Sequence, residues 1–126
     1  MADKNYLVTG ITELLILSIL DKHDSYVYEI TKNVSDLSGG LLSISQNTVY
    51  TATYKLETEG KISAYSKLVG KKRTRIYYRL EPDGQKYLEE LKANYENMVL
   101  AVQNIFIALR QNDIDPKETT TDEQDL

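Results

Sequence analysis

The feature that most constrains the fold is an apolar seam at heptad spacing in the last third of the chain. From Pro82 to about Arg110 no residue breaks a helix, and Pro82 itself suits a first helical turn. Successive seam residues are three and four positions apart, which is typical of helices that pair. The seam consists of Leu88, Leu91, Tyr95, Met98, Val102, Ile105 and Leu109.

A helix of about 26 residues is roughly 39 Å long, which is more than the rest of one small domain can cover. The seam therefore predicts a homodimer interface along this helix. The alternative interpretation is that the helix lies on the core of its own domain.

The chain has 126 residues, of which 41% are hydrophobic and 27% charged, so we expect one globular domain. Its longest apolar run, from Leu14 to Leu20, is too short to span a bilayer. Because no basic segment precedes that run and no small-residue cleavage site follows it, we expect no signal peptide. We therefore expect a cytoplasmic protein without a membrane partner. The chain has no cysteine and one histidine, His23, which argues against disulfides, thiolate metal sites and catalytic triads. We expect neither an enzyme nor a metal or other cofactor.

The net charge of −4 hides a strongly uneven distribution. Residues Lys61 to Leu80 include seven basic side chains and no acid, whereas Asn112 to Leu126 include six acids and one lysine. The acidic segment has no apolar period, so we predict that residues 112–126 form a disordered tail. Without that tail the chain carries a dense cationic patch, which favours an anionic partner.

Three helical patterns precede the basic segment. The first, from about Thr9 to Asp21, is apolar almost all round and must be covered on more than one side. In the second, Asp24 or Ser25 is the predicted N-cap, and Ser38-Gly39-Gly40 ends the helix. Its predicted inward residues are Ile30, Val34 and Leu37.

The third helix is predicted from Gln46 to about Glu59, with Ser45 as its N-cap and Gly60 as its terminator. A narrow apolar stripe of Val49, Ala52 and Leu56 faces the core. The opposite face carries polar, aromatic and basic groups, namely Gln46, Asn47, Thr48, Tyr50, Thr51, Tyr54 and Lys55.

A hairpin pattern follows the third helix. The predicted strands are Ile62 to Leu68 and Ile76 to Leu80, joined by a turn that begins near Gly70. The turn is strongly basic, since it includes Lys71, Lys72, Arg73 and Arg75.

Three helices followed by a two-stranded hairpin predict a mainly α winged helix-turn-helix, extended by the long C-terminal dimerisation helix. In such folds the third helix enters the major groove of double-stranded DNA, and the hairpin follows the backbone or the minor groove. Amide side chains pair with adenine and hydroxyls bond phosphates, so the third-helix face and the basic turn are the predicted DNA-binding residues. The simpler alternative is that the third-helix face is only a solvated surface and that the basic turn only increases solubility. A winged-helix protein-interaction adaptor without DNA binding is the other functional class.

We accordingly predict a DNA-binding domain over residues 1–81, a dimerisation helix over 82–111 and the acidic tail over 112–126.

Four motifs, in order, resemble those of the PadR family of bacterial transcriptional regulators. They are Tyr26-Val27-Tyr28-Glu29-Ile30, Leu41 to Tyr50, Lys55 to Ile62, and Arg75-Ile76-Tyr77-Tyr78-Arg79-Leu80. The likeness covers about residues 9 to 109 and implies a homodimeric repressor of operator DNA. Departures are Val27 in place of a common glycine, Thr51 in place of a common proline, and Glu81-Pro82 before the last helix.

The single C-terminal helix resembles the smaller PadR subfamily, which includes the multidrug-binding regulator LmrR. That resemblance implies a small planar aromatic or cationic effector held between the subunits. The positions that match its lining are Glu13, Leu14, Tyr87, Leu91, Tyr95 and Val99. Tyr95 stands where a tryptophan stacks on ligands, and the alternative is that Tyr95 fills the dimer seam as core.

Overall fold

The computed structural model describes residues 11–112, and the predicted acidic tail lies outside them apart from Asn112. Three helices, a hairpin and one long helix follow one another in the described part. They are α1 (Thr12–Lys22), α2 (Val27–Leu37), α3 (Gln46–Thr58), β1 (Ile62–Val69), β2 (Arg73–Leu80) and α4 (Pro82–Asn112). The mainly α class with a small hairpin and a long final helix is thus confirmed.

Helix α1 forms the centre of the core. Its residues Ile16, Leu17 and Leu20 are buried, and Leu14 and Ile19 pack against the same cluster from its sides. The prediction that this helix must be covered on more than one side is therefore confirmed. The other buried apolar residues come from every later element: Val27, Ile30, Val34, Val49, Leu56, Ile62, Tyr78 and Leu88.

The predicted N-cap of α2 is wrong. The cap position is Tyr26, and no side chain caps the helix. Ser25 is fully buried because its backbone pairs with β2: its amide donates to the Tyr78 carbonyl (3.3 Å), and the Tyr78 amide donates back (2.8 Å). The Asp24 carboxylate is also engaged elsewhere, since it accepts the Tyr65 hydroxyl. Both candidate N-cap residues are therefore bonded to residues far along the chain, and neither caps α2.

The carboxyl end of α2 agrees with the sequence pattern except at Leu37. The helix ends there, and the Gly40 amide donates to the Ser35 carbonyl (2.8 Å) with Gly40 at φ 81°. Ile30 and Val34 are buried as predicted, but Leu37 is 79% exposed. Because the chain turns away at Ser38, the expected inward position of Leu37 is wrong.

Helix α3 begins as the sequence indicates. The Ser45 hydroxyl accepts the Thr48 amide (3.1 Å), and Gly60 follows the helix end at φ 75°. Val49 and Leu56 are fully buried, and Thr53 is buried beside them with its hydroxyl donated to the Val49 carbonyl (2.9 Å). That bond satisfies the hydroxyl, so the polar residue fits an apolar interior.

The hairpin strands are longer than predicted. They pair antiparallel from Ile62 opposite Leu80 to Val69 opposite Arg73, which leaves a three-residue tip of Gly70, Lys71 and Lys72. Gly70 adopts φ 76°, a conformation that glycine accepts without a steric cost.

The chain divides into two compact units, one reaching Leu91 and the other beginning at Lys92. In the first unit, the start of α4 approaches the α3–β1 connection so closely that a Cβ on Gly84 would lie 2.0 Å from the Lys61 carbonyl oxygen. Leu88 is fully buried in this unit's core. The prediction of Leu88 as a dimer-contact residue is therefore wrong, because its side chain already packs within its own chain.

Candidate nucleic-acid interface

The exposed side of α3 holds most of the predicted DNA-reading residues. With 100° between successive helical residues, Asn47, Tyr50, Thr51 and Tyr54 lie on the side opposite the buried stripe, and Gln46 lies at the edge of that side. All five are exposed, whereas Thr48 is half-buried. The Thr51 hydroxyl donates to the Asn47 carbonyl (3.0 Å), so its hydrogen is already engaged by the helix backbone. This surface presents amides, hydroxyls and aromatic rings with little charge.

Lys55 lies at the edge of this face and is already paired. Its Nζ is 3.1 Å from Glu13 Oε2, and its side chain stays 57% exposed. The carboxylate raises the pKa of Lys55 through a hydrogen bond and charge attraction. Lys55 is thus a protonated base that has an internal partner.

The basic residues of the hairpin differ in their surroundings. Lys71 and Lys72 form the exposed tip with Gly70, and Arg73 begins β2 beside it, exposed as well. Arg75 is half-buried instead, and its guanidinium carbon lies 4.0 Å from the ring centroid of Tyr26. Three predicted bases are therefore freely accessible, and the fourth is stacked on an aromatic ring.

An aromatic cluster forms where one face of the hairpin meets the start of α2; it consists of Tyr65 and Tyr77 from the strands and Tyr26 from the N-cap position of α2. The Tyr77 ring packs edge-on against Tyr26 (5.4 Å between centroids) and is stacked on Tyr65 (5.8 Å). The Tyr65 hydroxyl donates to Asp24 Oδ2 (2.6 Å), and this bond to a carboxylate raises the pKa of Tyr65.

Basic side chains cover the aromatic cluster. Lys67 Nζ lies 5.1 Å from the Tyr77 centroid, and the Arg79 guanidinium lies 4.7 Å from that of Tyr65. Sequence reasoning missed Lys67 and Arg79 as members of this surface. The signal was available, because residues two apart on paired strands share a face, and the register places Lys67 opposite Arg75.

The residues implied as ligand lining fall in both units. In the first unit, the Tyr87 hydroxyl donates to Glu13 Oε1 (2.5 Å), and Leu14 and Leu91 pack partly against the core. The bond to Glu13 and partial burial raise the pKa of Tyr87 to about 12. In the second unit, Tyr95 is 41% exposed and Val99 is half-buried.

The rest of the predicted seam is exposed in the single chain. The solvent-facing apolar side chains of the second unit are Tyr95, Met98, Leu100, Val102, Ile105, Phe106, Ile107 and Leu109. Phe106 joins the seam, since it lies between Tyr95 and Val99 in angular position around the helix. Leu100 and Ile107 lie on the opposite side, so this unit is apolar on two faces.

Two other features bear on function. Within residues 11–112, no three His, Asp or Glu side chains gather closely enough to hold a metal ion. No helix in the described part of the chain is long and apolar enough to cross a membrane.

The family model for the transcriptional regulator PadR-like family matches residues 16–90, more than half of the chain. The chain belongs to the PadR family. The predicted family membership is confirmed, and with it the class of this PadR protein as a transcriptional regulator.

Solved structures agree with this assignment. A transcriptional regulator from Clostridium thermocellum is 36% identical, covers 80% of this PadR chain and 94% of its own, and has a TM-score of 0.69. A PadR family regulator from Clostridium difficile is 32% identical over 78% of this chain and 99% of its own, with a TM-score of 0.63. Bacillus subtilis PadR, solved in complex with operator DNA, is 26% identical over 64% of this chain and 45% of its own, with a TM-score of 0.59.

Proposed function

We propose that this PadR-family protein binds operator DNA as a homodimer and represses transcription. The observation that carries the proposal is that the uncharged, exposed side of α3 and the basic hairpin belong to one compact unit. The solved complex of Bacillus subtilis PadR with operator DNA supports it. Residues 1–81 would then form the DNA-binding domain and residues 82–111 the dimerisation helix.

In this proposal α3 reads bases and the hairpin holds the backbone. The Gln46 and Asn47 amides suit adenine edges in the major groove, and the Thr51 methyl suits a thymine methyl. The hydroxyls of Thr48, Tyr50 and Tyr54 bond phosphates without adding charge. The basic groups then neutralise phosphates on either side, namely Lys55, Lys71, Lys72, Arg73 and Arg75.

Dimerisation is argued from the apolar surface of the second unit. Met98, Val102 and Ile105 form an exposed seam at heptad spacing, and Phe106 adds a large ring that is 59% exposed. Such a continuous apolar surface is typical of a protein interface. Because Leu100 and Ile107 are exposed on the other side, we expect the partner to cover this helix from two directions. The second copy's long helix and first helix are the proposed covering elements.

The DNA proposal is tested by titrating a labelled duplex of about 30 base pairs, long enough for two half-sites one helical turn apart. Fluorescence anisotropy at about 50 and 200 mM salt should show affinity that falls steeply as salt rises. A duplex selected by the protein from a random pool should bind more tightly than a duplex of mixed sequence. Absence of binding to both would favour the protein-interaction adaptor.

A ligand site around Tyr95 is proposed from the resemblance and from the ring's partial exposure. A tyrosine ring stacks on planar or cationic compounds, and the resemblance alone implies that Glu13 belongs to the same lining. A ligand that prefers the DNA-incompetent dimer should weaken operator binding by about 1 to 3 kcal/mol.

Calorimetry with planar cationic dyes tests the ligand site. Tyr95→Ala should abolish the dye response and leave ligand-free DNA binding nearly intact. Tyr28→Ala, which removes another exposed tyrosine, is the matched control. If no dye binds and Tyr95→Ala lowers the melting temperature markedly, Tyr95 is dimer core and not a ligand contact.

A further inference from the structure

One carboxylate on α1 joins the other two helices that matter for function. Glu13 uses its two oxygens separately: Oε1 accepts the Tyr87 hydroxyl from α4, and Oε2 lies 3.1 Å from Lys55 Nζ on α3. The Glu13 side chain is only 20% exposed, whereas that of Lys55 is 57% exposed. The carboxylate is therefore held in place, and the lysine is the member of the pair that solvent or DNA can reach.

Tyr87 keeps Glu13 oriented. Its phenol is protonated at neutral pH, as that of any tyrosine is, and the bond to Glu13 and partial burial raise the pKa of Tyr87 further, to about 12. The ring is also fixed from its face, since Lys61 Nζ lies 3.7 Å from the centroid and is itself bound to Glu59 Oε1 (2.9 Å). Turning Glu13 away from Lys55 would disturb the Tyr87 bond, because both contacts use the same carboxylate.

We propose that Glu13 restrains the charge of Lys55, so that the carboxylate and a DNA phosphate compete for one ammonium group. The inference rests on the proposed DNA interface, at whose edge Lys55 lies. If Lys55 stays paired with Glu13, it contacts no phosphate and so releases no counterion from the DNA. If Lys55 moves to a phosphate instead, the Glu13 carboxylate loses its basic partner. Either way, Glu13 lowers the affinity that the α3 surface would otherwise have. Glu13 acts through Lys55 and is a positioning residue, not a DNA contact.

The expected size follows from the exposure of the pair. Partly exposed ion pairs are weak and screened by salt, so releasing Lys55 should tighten DNA binding about 1.5- to 5-fold at low salt. One added phosphate contact should also steepen the dependence of log affinity on log salt by up to about 0.9.

A double-mutant cycle tests the proposal. Glu13→Gln keeps the size of the side chain and an oxygen for Tyr87 but removes the charge. Wild type, Glu13→Gln, Lys55→Gln and the double variant are titrated with the labelled duplex of about 30 base pairs at about 50 and 200 mM salt. Glu57→Gln is the matched control, because Glu57 is an exposed acid of α3 and its replacement removes the same charge as Glu13→Gln does. Thermal melts establish that each variant is folded.

Glu13→Gln should tighten binding and steepen the salt slope in the Lys55 protein, and should leave both nearly unchanged in Lys55→Gln. Tyr87→Phe frees Glu13 without removing its charge. It should tighten DNA binding less than Glu13→Gln does when Lys55 is present, and should have no effect in Lys55→Gln. Equal tightening in both lysine backgrounds, or the same tightening from Glu57→Gln, would overturn the inference in favour of a long-range charge effect. No change from Glu13→Gln would overturn it too. In either case the wild type still binds DNA, whereas failure of the proposed function is a wild type that does not.

Discussion

The close approach of α4 to the α3–β1 connection makes Gly84→Ala a sharp test of the structure. Replacing glycine by alanine inside a helix ordinarily stabilises it by about 1 kcal/mol. Here the added Cβ would lie 2.0 Å from the Lys61 carbonyl oxygen and 2.8 Å from Leu80 Cδ1. We therefore expect the reverse sign.

The magnitude follows from what blocks the methyl group. Carbon atoms pack at about 3.5 Å or more, so the helix and the connection must separate by more than about 1 Å. The obstacle is backbone and cannot rotate away, and the same Lys61 carbonyl accepts the Glu81 amide (3.0 Å). Overpacking at such sites costs up to about 3 kcal/mol. After the helical gain of about 1 kcal/mol, a net loss near 2 kcal/mol remains, which lowers Tm by about 8 °C for a chain of this length.

Circular dichroism melts measure this change, at several protein concentrations because the stability of the proposed dimer would depend on concentration. Asn97→Ala is the control, since Asn97 is an exposed residue of the same helix and its replacement should raise Tm slightly. If Gly84→Ala melted at or above the wild-type temperature, the described contact between α4 and Lys61 would be wrong.

Four further expectations follow. Alanine at Asn47 or Thr51 should cost about 1 to 3 kcal/mol on a selected operator and much less on mixed-sequence DNA in anisotropy titrations; equal losses on both would reassign the residue to backbone contact. Val102→Glu or Met98→Glu should give monomers or unfolded chain in sedimentation and collapse operator binding, and a folded monomer of full affinity would refute the dimer. The pKa of Tyr87 is about 12 in the folded chain against an ordinary 10, so the stability that its protonated phenol supplies is complete below pH 10 and is lost as pH rises to 12. Unfolding free energies of wild type and Tyr87→Phe should converge over that interval, and a constant difference would contradict the bond to Glu13. Neutralising the hairpin should flatten the salt dependence by up to about 0.9 per lost phosphate contact, and an unchanged slope would remove the hairpin from the interface; the variant replaces Lys71, Lys72, Arg73 and Arg75 with alanine.

Local signals were enough for much of the fold. Ser45 caps α3 and Pro82 opens α4 as predicted, because a cap or a proline acts on its immediate neighbours. Ser25 and Leu88 were misjudged, because their roles depend on residues far along the chain. Ser25 has the same capping chemistry as Ser45, yet β2 pairs with its backbone. Leu88 continues the heptad period, yet it falls where α4 still covers the core.

The candidate site divides in the same way. The exposed face of α3 followed from helical period alone, and its role in DNA reading stays a prediction. Neither the Glu13 bond to Lys55 nor the stacking of Arg75 on Tyr26 was foreseeable, since each joins residues that are about 40 to 50 positions apart. The periodicity of residues along the sequence does not indicate which side chains that are distant in the chain come into contact.

The stacking of Arg75 on Tyr26 has a thermodynamic consequence for binding. A long basic side chain that is fixed only on contact with a phosphate loses up to about 2 kcal/mol of rotamer entropy. In the proposed DNA complex the tip residues Lys71 and Lys72 would be in this position. Arg75 has given up part of that freedom already, because Tyr26 holds its planar group. Arg75→Lys keeps the charge but loses the planar stacking. Calorimetry should therefore show that the entropy of DNA binding is less favourable for Arg75→Lys than for the wild type. The reciprocal exchange of Lys71 or Lys72 to arginine should leave that entropy nearly unchanged.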